Sequence, residues 1–194
     1  NMASVIEICN SALLQLGAQA ITALTENSKN GRLCNARYNT VRDSVFRSHP
    51  WNSLIKRQKL AADTDTPIYG FSYQFTLPAD CLRVLHLNAH DSNFKVEGRK
   101  ILCNEASIFL VYVSQVTDPN EMDILLRETI SAALAADIAY SITANIGIAK
   151  TFNEKFQFKL SEARHADAGE GQNTDPTLGP VDQIQADDFI NSRY

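Results

Sequence analysis

Apolar positions along this chain change their period, and the changes divide it into segments. From Arg32 to Trp51 the spacing is helical. At about 100° per residue Cys34, Tyr38, Val41 and Val45 share one side, while Arg32, Asn35, Asn39 and Asp43 take the other. This predicts an amphipathic helix that begins near Asn27 to Asn30 and stops at Ser48, because Pro50 pushes His49 towards extended backbone. Phe46 stands about 110° from the centre of the stripe, on the polar half. Either a second interface or a loop of the same chain has to cover it. Trp51, the only tryptophan, follows at the exit. Ahead of this helix Ser4 and Glu7 have capping-box spacing and open a helix carrying Ile8, Ala12, Leu13 and Leu16, with Gly17 as its C-cap.

After Trp51 the period shortens. Leu54 to Ala62 reads as a short mixed segment, and the DTDTP run as a turn. From Ile68 to Leu77, Tyr69, Phe71, Tyr73, Phe75 and Leu77 alternate with other residues, which predicts a half-buried strand ended by Pro78. Leu82 to Leu87, a hairpin around Glu97-Gly98 and Ile108 to Val113 supply the rest of a small antiparallel sheet. Helical spacing then returns. Asp118 and Pro119 are expected to cap and start the longest helix, with Met122, Leu125, Leu126, Ala133, Ala136 and Tyr140 on one stripe and Ile124, Ile138 and Ile142 nearly opposite. A helix of that kind is buried on two sides. Asp137 borders the main stripe and is expected to pair with an arginine such as Arg37 or Arg42, since an unpaired buried carboxylate is costly. Gly147 breaks the pattern before a final helix from about Ala149 to Ala168.

The fold class expected is α+β. A bundle of about four helices (residues 2–62 and 118–169) carries a small antiparallel β-domain (63–117) inserted between the second and third helices, and an extended C-terminal tail follows (170–194). The tail has no periodicity but closes with Phe189, Ile190 and Tyr194. It is expected to be mobile alone and to dock on a partner.

Composition narrows the function classes. The 194 residues carry a net charge of -4, which argues against an electrostatic nucleic-acid binder. No apolar run approaches the roughly 18 residues of a membrane span. Cys9, Cys34, Cys81 and Cys103 form no CxxC pair and read as buried free thiols, in keeping with folding in a reducing cytoplasm. His49, His86, His90 and His165 are scattered; His86 and His90, four apart, fall on a strand and its turn, a poor arrangement for a metal. No GxGxxG, P-loop, GxSxG or HExxH occurs, so no catalytic residue, cofactor or metal ligand is assigned. Arginines at 32, 37, 42 and 47 are sprayed around their helix, which suits pairings or a subunit contact better than a phosphate-binding stripe.

The order RYNTVRDSVFRSHPWN, LAADTDTPIYGFSYQFTLPADCLRVL, VEGRKIL and VYVSQVTDPNEMDILLRETISAALAADIAYSIT resembles the tail tubular protein A family of short-tailed phages, collinearly from Met2 to about Ala168. The most specific parts are RDSVFRSHPW, FTLPADCLRV and YVSQVTDPN. The resemblance implies a structural role as a head-to-tail adaptor, or gatekeeper. Such a chain is made in the host bacterial cytoplasm, from a phage or prophage, and resides in the virion tail. It forms a ring, a dodecamer, between the portal protein and the tail nozzle protein, and DNA passes without specific binding. Phe46, His49 and Trp51 near the helix exit, with Phe189, Ile190 and Tyr194 in the tail, are the expected subunit or portal contacts. An alternative is a tail protein that also hydrolyses glycan or peptidoglycan through a carboxylate pair. A third reading is a bacterial scaffold unrelated to phages.

Overall fold

The computed structural model of the chain describes residues 3–88 and 93–170. Helices α1 (Val5–Gln15) and α2 (Lys29–Arg47) come first. Strands β1 (Ile55–Ala61), β2 (Tyr73–Thr76), β3 (Cys81–Leu87), β4 (Phe94–Glu97), β5 (Lys100–Cys103) and β6 (Ser107–Ser114) follow, then α3 (Ile124–Thr143) and α4 (Ile146–Glu170). The fold is α+β, with four helices and two small antiparallel sheets among the described residues.

Local chemistry sets the helix ends. Ser4 Oγ accepts from Glu7 N at 3.1 Å and the Glu7 carboxylate accepts from Ser4 N at 3.0 Å, the reciprocal box that opens α1. Gly17, at φ +66°, lets the chain turn off that helix. Ser28 caps α2 through Gly31 N. At α3 the expected start is corrected. Asp118 caps only a single 3-10 turn, Pro119–Glu121; Met122 is extended, and Asp123 caps the helix by accepting from Leu125 N at 2.7 Å. Ala144, left-handed at φ +52°, ends α3, and Asn145 Oδ1 then accepts from Gly147 N and Ile148 N to start α4. Gly147 therefore sits inside the first turn of α4 rather than breaking the chain, and α4 is the longest helix among the described residues.

α3 packs against α1, α2 and α4, so it is buried around much of its girth by Leu126, Ile130, Leu134 and Ile138. Tyr140, expected on its main stripe, faces out. Asp137 finds the arginine foreseen for it: Arg37 Nε and Nη2 donate to its two oxygens at 2.7 and 3.0 Å.

The strands do not build the single inserted β-domain expected between the second and third helices. They follow α2 and precede α3 in the chain, but they divide into a sheet of order β1-β6-β3 and a sheet of order β2-β5-β4. The first sheet shares the helical core. Val113 of β6 packs with Phe46, Trp51, Leu126 and Ile130, whereas Ile108, Leu110 and Tyr112 of the same strand pack with Phe75, Ile101 and Cys103 of the second sheet. Where a strand has apolar neighbours on both faces it cannot alternate cleanly, which is why Leu110 to Val113 run together, whereas Phe109 earlier in the strand is exposed. β1, read as a mixed segment, pairs with β6 along its whole length. Its Lys56, Arg57, Gln58 and Lys59 suit an edge that must not recruit other strands. Ile68 and Tyr69, assigned to a strand, stand exposed in the loop before β2.

Candidate interaction surfaces

The exit of α2 meets the last turns of α4. Trp51 is 2 % exposed; its Nε1 donates to Val45 O at 3.0 Å and its ring meets the His49 ring edge-on at 4.7 Å. His49 Nε2 lies 3.0 Å from Asp167 Oδ2. Asn52 N donates to the same carboxylate at 3.0 and 3.3 Å, Asn52 Nδ2 donates to Asp167 O at 2.7 Å, and Arg164 Nη2 donates to Ser48 O at 2.9 Å. This network pins the C-terminal end of α4 onto the residues around Pro50. Arg47 holds the opposite side, donating to the carbonyl of Leu82.

Placed in this setting, the six expected contact residues separate. Phe46 is 0 % exposed and packs within the chain's own core, where α2 meets β3 and β6. Its off-stripe position is explained by the first sheet, which covers that side. Trp51 is likewise spent inside. His49 is mostly buried against Asp167. Phe46 and Trp51 are thus enclosed by the chain itself, while His49 keeps an edge in solvent. Phe189, Ile190 and Tyr194 lie outside the described residues. Sequence reasoning missed Asp167, Asn52 and Arg164. The i,i+3 pair Arg164 and Asp167 on one helix face was the readable hint, but their partners lie more than 100 positions upstream.

A groove opens on the other side of the bundle, where α1 and α4 flank α3. It holds about 720 Å³ between Ser11 and Gln15 on one wall and Thr151, Lys155, Phe158 and Glu162 on the other. It continues into a second opening of about 680 Å³ towards Gly17, Ile148 and Phe152. Phe158 is 75 % exposed and Ile148 38 %. Lys159 binds Glu128 at 2.7 Å and Glu162 at 3.3 Å, while Lys155 lies over the Phe152 ring at 4.8 Å.

Several groups titrate away from their ordinary ranges. The Lys100 ammonium, together with Thr76, holds the Asp63 carboxyl below the usual carboxylate range. Burial would raise Asp80, but Lys56 and the Tyr112 hydroxyl outweigh it and bring it down. Burial, helped by Asp80, pushes Tyr112 up to about 12. The hydrogen bond with the Cys34 thiol, and then burial, hold Cys9 far above an ordinary thiol, so it is a packing group rather than a nucleophile at neutral pH. All four cysteines are free and buried.

A carboxyl whose folded pKa is depressed takes its proton later than in the unfolded chain. Its contribution is complete above the unfolded carboxylate range, near pH 4, and is lost as pH falls through the folded value. The urea midpoint of the wild-type chain is therefore expected to fall as the buffer is taken from pH 6 into the acid range below about pH 4. Asp63→Asn and Asp80→Asn should each flatten that acid limb when the midpoints are compared by circular dichroism.

Among the described residues no group of three or more His, Cys, Asp or Glu side chains is arranged to hold a metal ion, and no helix is long and apolar enough to cross a membrane. No protein-family model matches the chain, and no curated protein matches it.

Proposed function

We propose that this chain is a ring-forming head-to-tail adaptor of a short-tailed phage or prophage, joining portal to tail nozzle around the DNA exit channel in the virion. The observation that carries the reading is the apolar load on the outside of the helices. Leu14 of α1, Ile124 and Tyr140 of α3, and Ile146 and Phe158 of α4 all stand in solvent. A subunit whose helices pack side by side with sister copies needs such groups, and they become buried only on assembly. The collinear resemblance and the net charge of -4 agree with it, since an acidic conduit does not grip passing phosphates. The portal contact is assigned to the C-terminal segment, with Phe189, Ile190 and Tyr194 as its apolar anchors. Free chain can remain monomeric and polymerise only on a portal template.

The test mixes purified chain with the portal protein encoded beside it and images the product by electron cryo-microscopy. A ring seated on the portal is expected; full-length chain that never binds portal overturns the adaptor reading. Truncation before Gly171 is expected to leave the far-ultraviolet circular dichroism intact and to abolish portal binding. Binding retained by the truncated chain removes the segment's role while leaving the ring.

A glycan-hydrolysing activity would be sought in the α1–α4 groove, where Glu128 and Glu162 both reach Lys159. The chemistry there favours the adaptor. Both side chains are ion-paired to one ammonium, which Glu128 above all holds above its ordinary range, whereas a glycosidase sets its two carboxyl groups on either side of a sugar.

A further inference from the structure

The two sheets present four edges, and three of them are covered or blunted. β1 carries the polar run Lys56 to Lys59. Asp63 covers β2, where its N–H donates to Gln74 O at 2.8 Å and its Oδ1 accepts from Thr76 N at 3.2 Å. Arg47 and Arg99 reach β3, donating to the carbonyls of Leu82 and Cys81. β4, in contrast, pairs with β5 alone, and among the described residues no backbone hydrogen bond is made on its other side. Val96 in its middle is 43 % exposed. Lys95 and Glu97 flank it as an exposed ion pair of 2.7 Å, and the exposed Tyr69 stands near enough to Lys95 to interact with it.

The hairpin turn fixes which backbone groups look outward. Glu97 and Lys100 close a two-residue loop whose first residue, Gly98, has φ +59°. The closing pair of such a loop exchanges its hydrogen bonds, so the N–H and C=O of Glu97 point at β5. Direction alternates along a strand. Lys95 therefore also bonds towards β5, and Phe94 and Val96 turn their N–H and C=O to the open side.

We propose that β4 pairs antiparallel with β4 of a second copy of this chain, with Val96 on the two-fold axis. The two Val96 residues then exchange both backbone hydrogen bonds. Each Lys95 comes to lie opposite Glu97 of the partner subunit, in the kind of pair where side chains approach most closely. Only this register fits the charges. A slip of one residue sets Val96 against a residue whose backbone groups face away, and a slip of two sets Lys95 on Lys95 or Glu97 on Glu97. The product is one six-stranded sheet, β2-β5-β4 continued by its two-fold copy. This contact is isologous, unlike the head-to-tail contacts of a cyclic ring, so it stands apart from the adaptor reading. Two four-residue strands make a small interface, and the dimer belongs to high protein concentration.

Sedimentation equilibrium of the full chain, at concentrations up to about 1 mM, is the test. Wild type is expected to show a monomer–dimer equilibrium. Val96→Pro removes the N–H at the axis without touching the ladder to β5, and should weaken association about tenfold with unchanged far-ultraviolet circular dichroism. Lys95→Glu should weaken it by about as much, setting acid against acid, and Glu97→Lys should do so by setting base against base. An equimolar mixture of those two variants should recover wild-type association, because each chain then meets the opposite charge at both positions. Wild type that stays monomeric throughout the range overturns the proposal. So does association unchanged by Val96→Pro, or a mixture that associates no better than either charge variant alone.

Discussion

Trp51→Ala is expected to cost about 3–5 kcal/mol of stability, the largest single effect in the described structure. Trp51 is a fully enclosed ring at the point where α2, the first sheet and the end of α4 converge, in one core cluster with Phe46, Leu54 and Val113. Truncation to alanine empties the largest side-chain volume in that cluster, and neighbours held by β6 on one side and by the Asp167 network on the other have little room to collapse into it. It also removes the Nε1–H that donates to Val45 O. That carbonyl still accepts from the Ser48 hydroxyl at 2.7 Å, so it is not orphaned. The cost should therefore be dominated by the cavity. Urea unfolding followed by circular dichroism, at constant m-value, measures it, and Trp51→Phe should recover most of the loss. A cost under 1 kcal/mol for Trp51→Ala would mean that this junction is not packed as described.

Asp43→Ala should cost about 3 kcal/mol, while Arg42→Met should be close to neutral. Arg42 is 4 % exposed, unusually deep for an arginine. Its guanidinium lies over the Tyr38 and Phe46 rings at 5.7 and 5.9 Å and its Nε donates to Asp43 Oδ1 at 2.9 Å. Asp43 in turn accepts from Gln115 Nε2 at 2.7 Å. Removing the carboxylate leaves a desolvated cation with only two ring faces for company. Removing the cation and keeping its apolar bulk leaves Asp43 partly exposed and still bonded to Gln115. The asymmetry between the two substitutions, read from urea midpoints, separates a buried charge that needs its partner from an arginine that merely fills space. Equal costs would refute this account.

Where one face of an element was buried, the sequence was legible. The stripe of Cys34, Tyr38, Val41 and Val45, the capping box at Ser4 and Glu7, the hairpin at Glu97-Gly98 and the Asp137 partner could all be read in advance, because each depends on spacing or on one strong local preference. Misreadings arose where tertiary contacts override the local signal. β1 has four polar residues in a row, Lys56 to Lys59, so nothing in its alternation announces a strand; β6 supplies its register from more than 45 residues away. Ile68 and Tyr69 alternate like strand residues, yet have no ladder partner. Asp118 and Pro119 are a proper helix opening that the chain abandons after one turn, since an extended Met122 reaches the helical core. Phe46 makes a related point. An aromatic off the main stripe shows that a second surface exists, and here that surface was the protein's own sheet.

β6 has a mechanical consequence. Because one strand is at once the floor of the helical half and the roof of the outer sheet, the layers have no soft joint between them. A load applied to the outer hairpin passes through a shared wall rather than a hinge, so a pulling force should break the whole body in one step instead of peeling its layers apart.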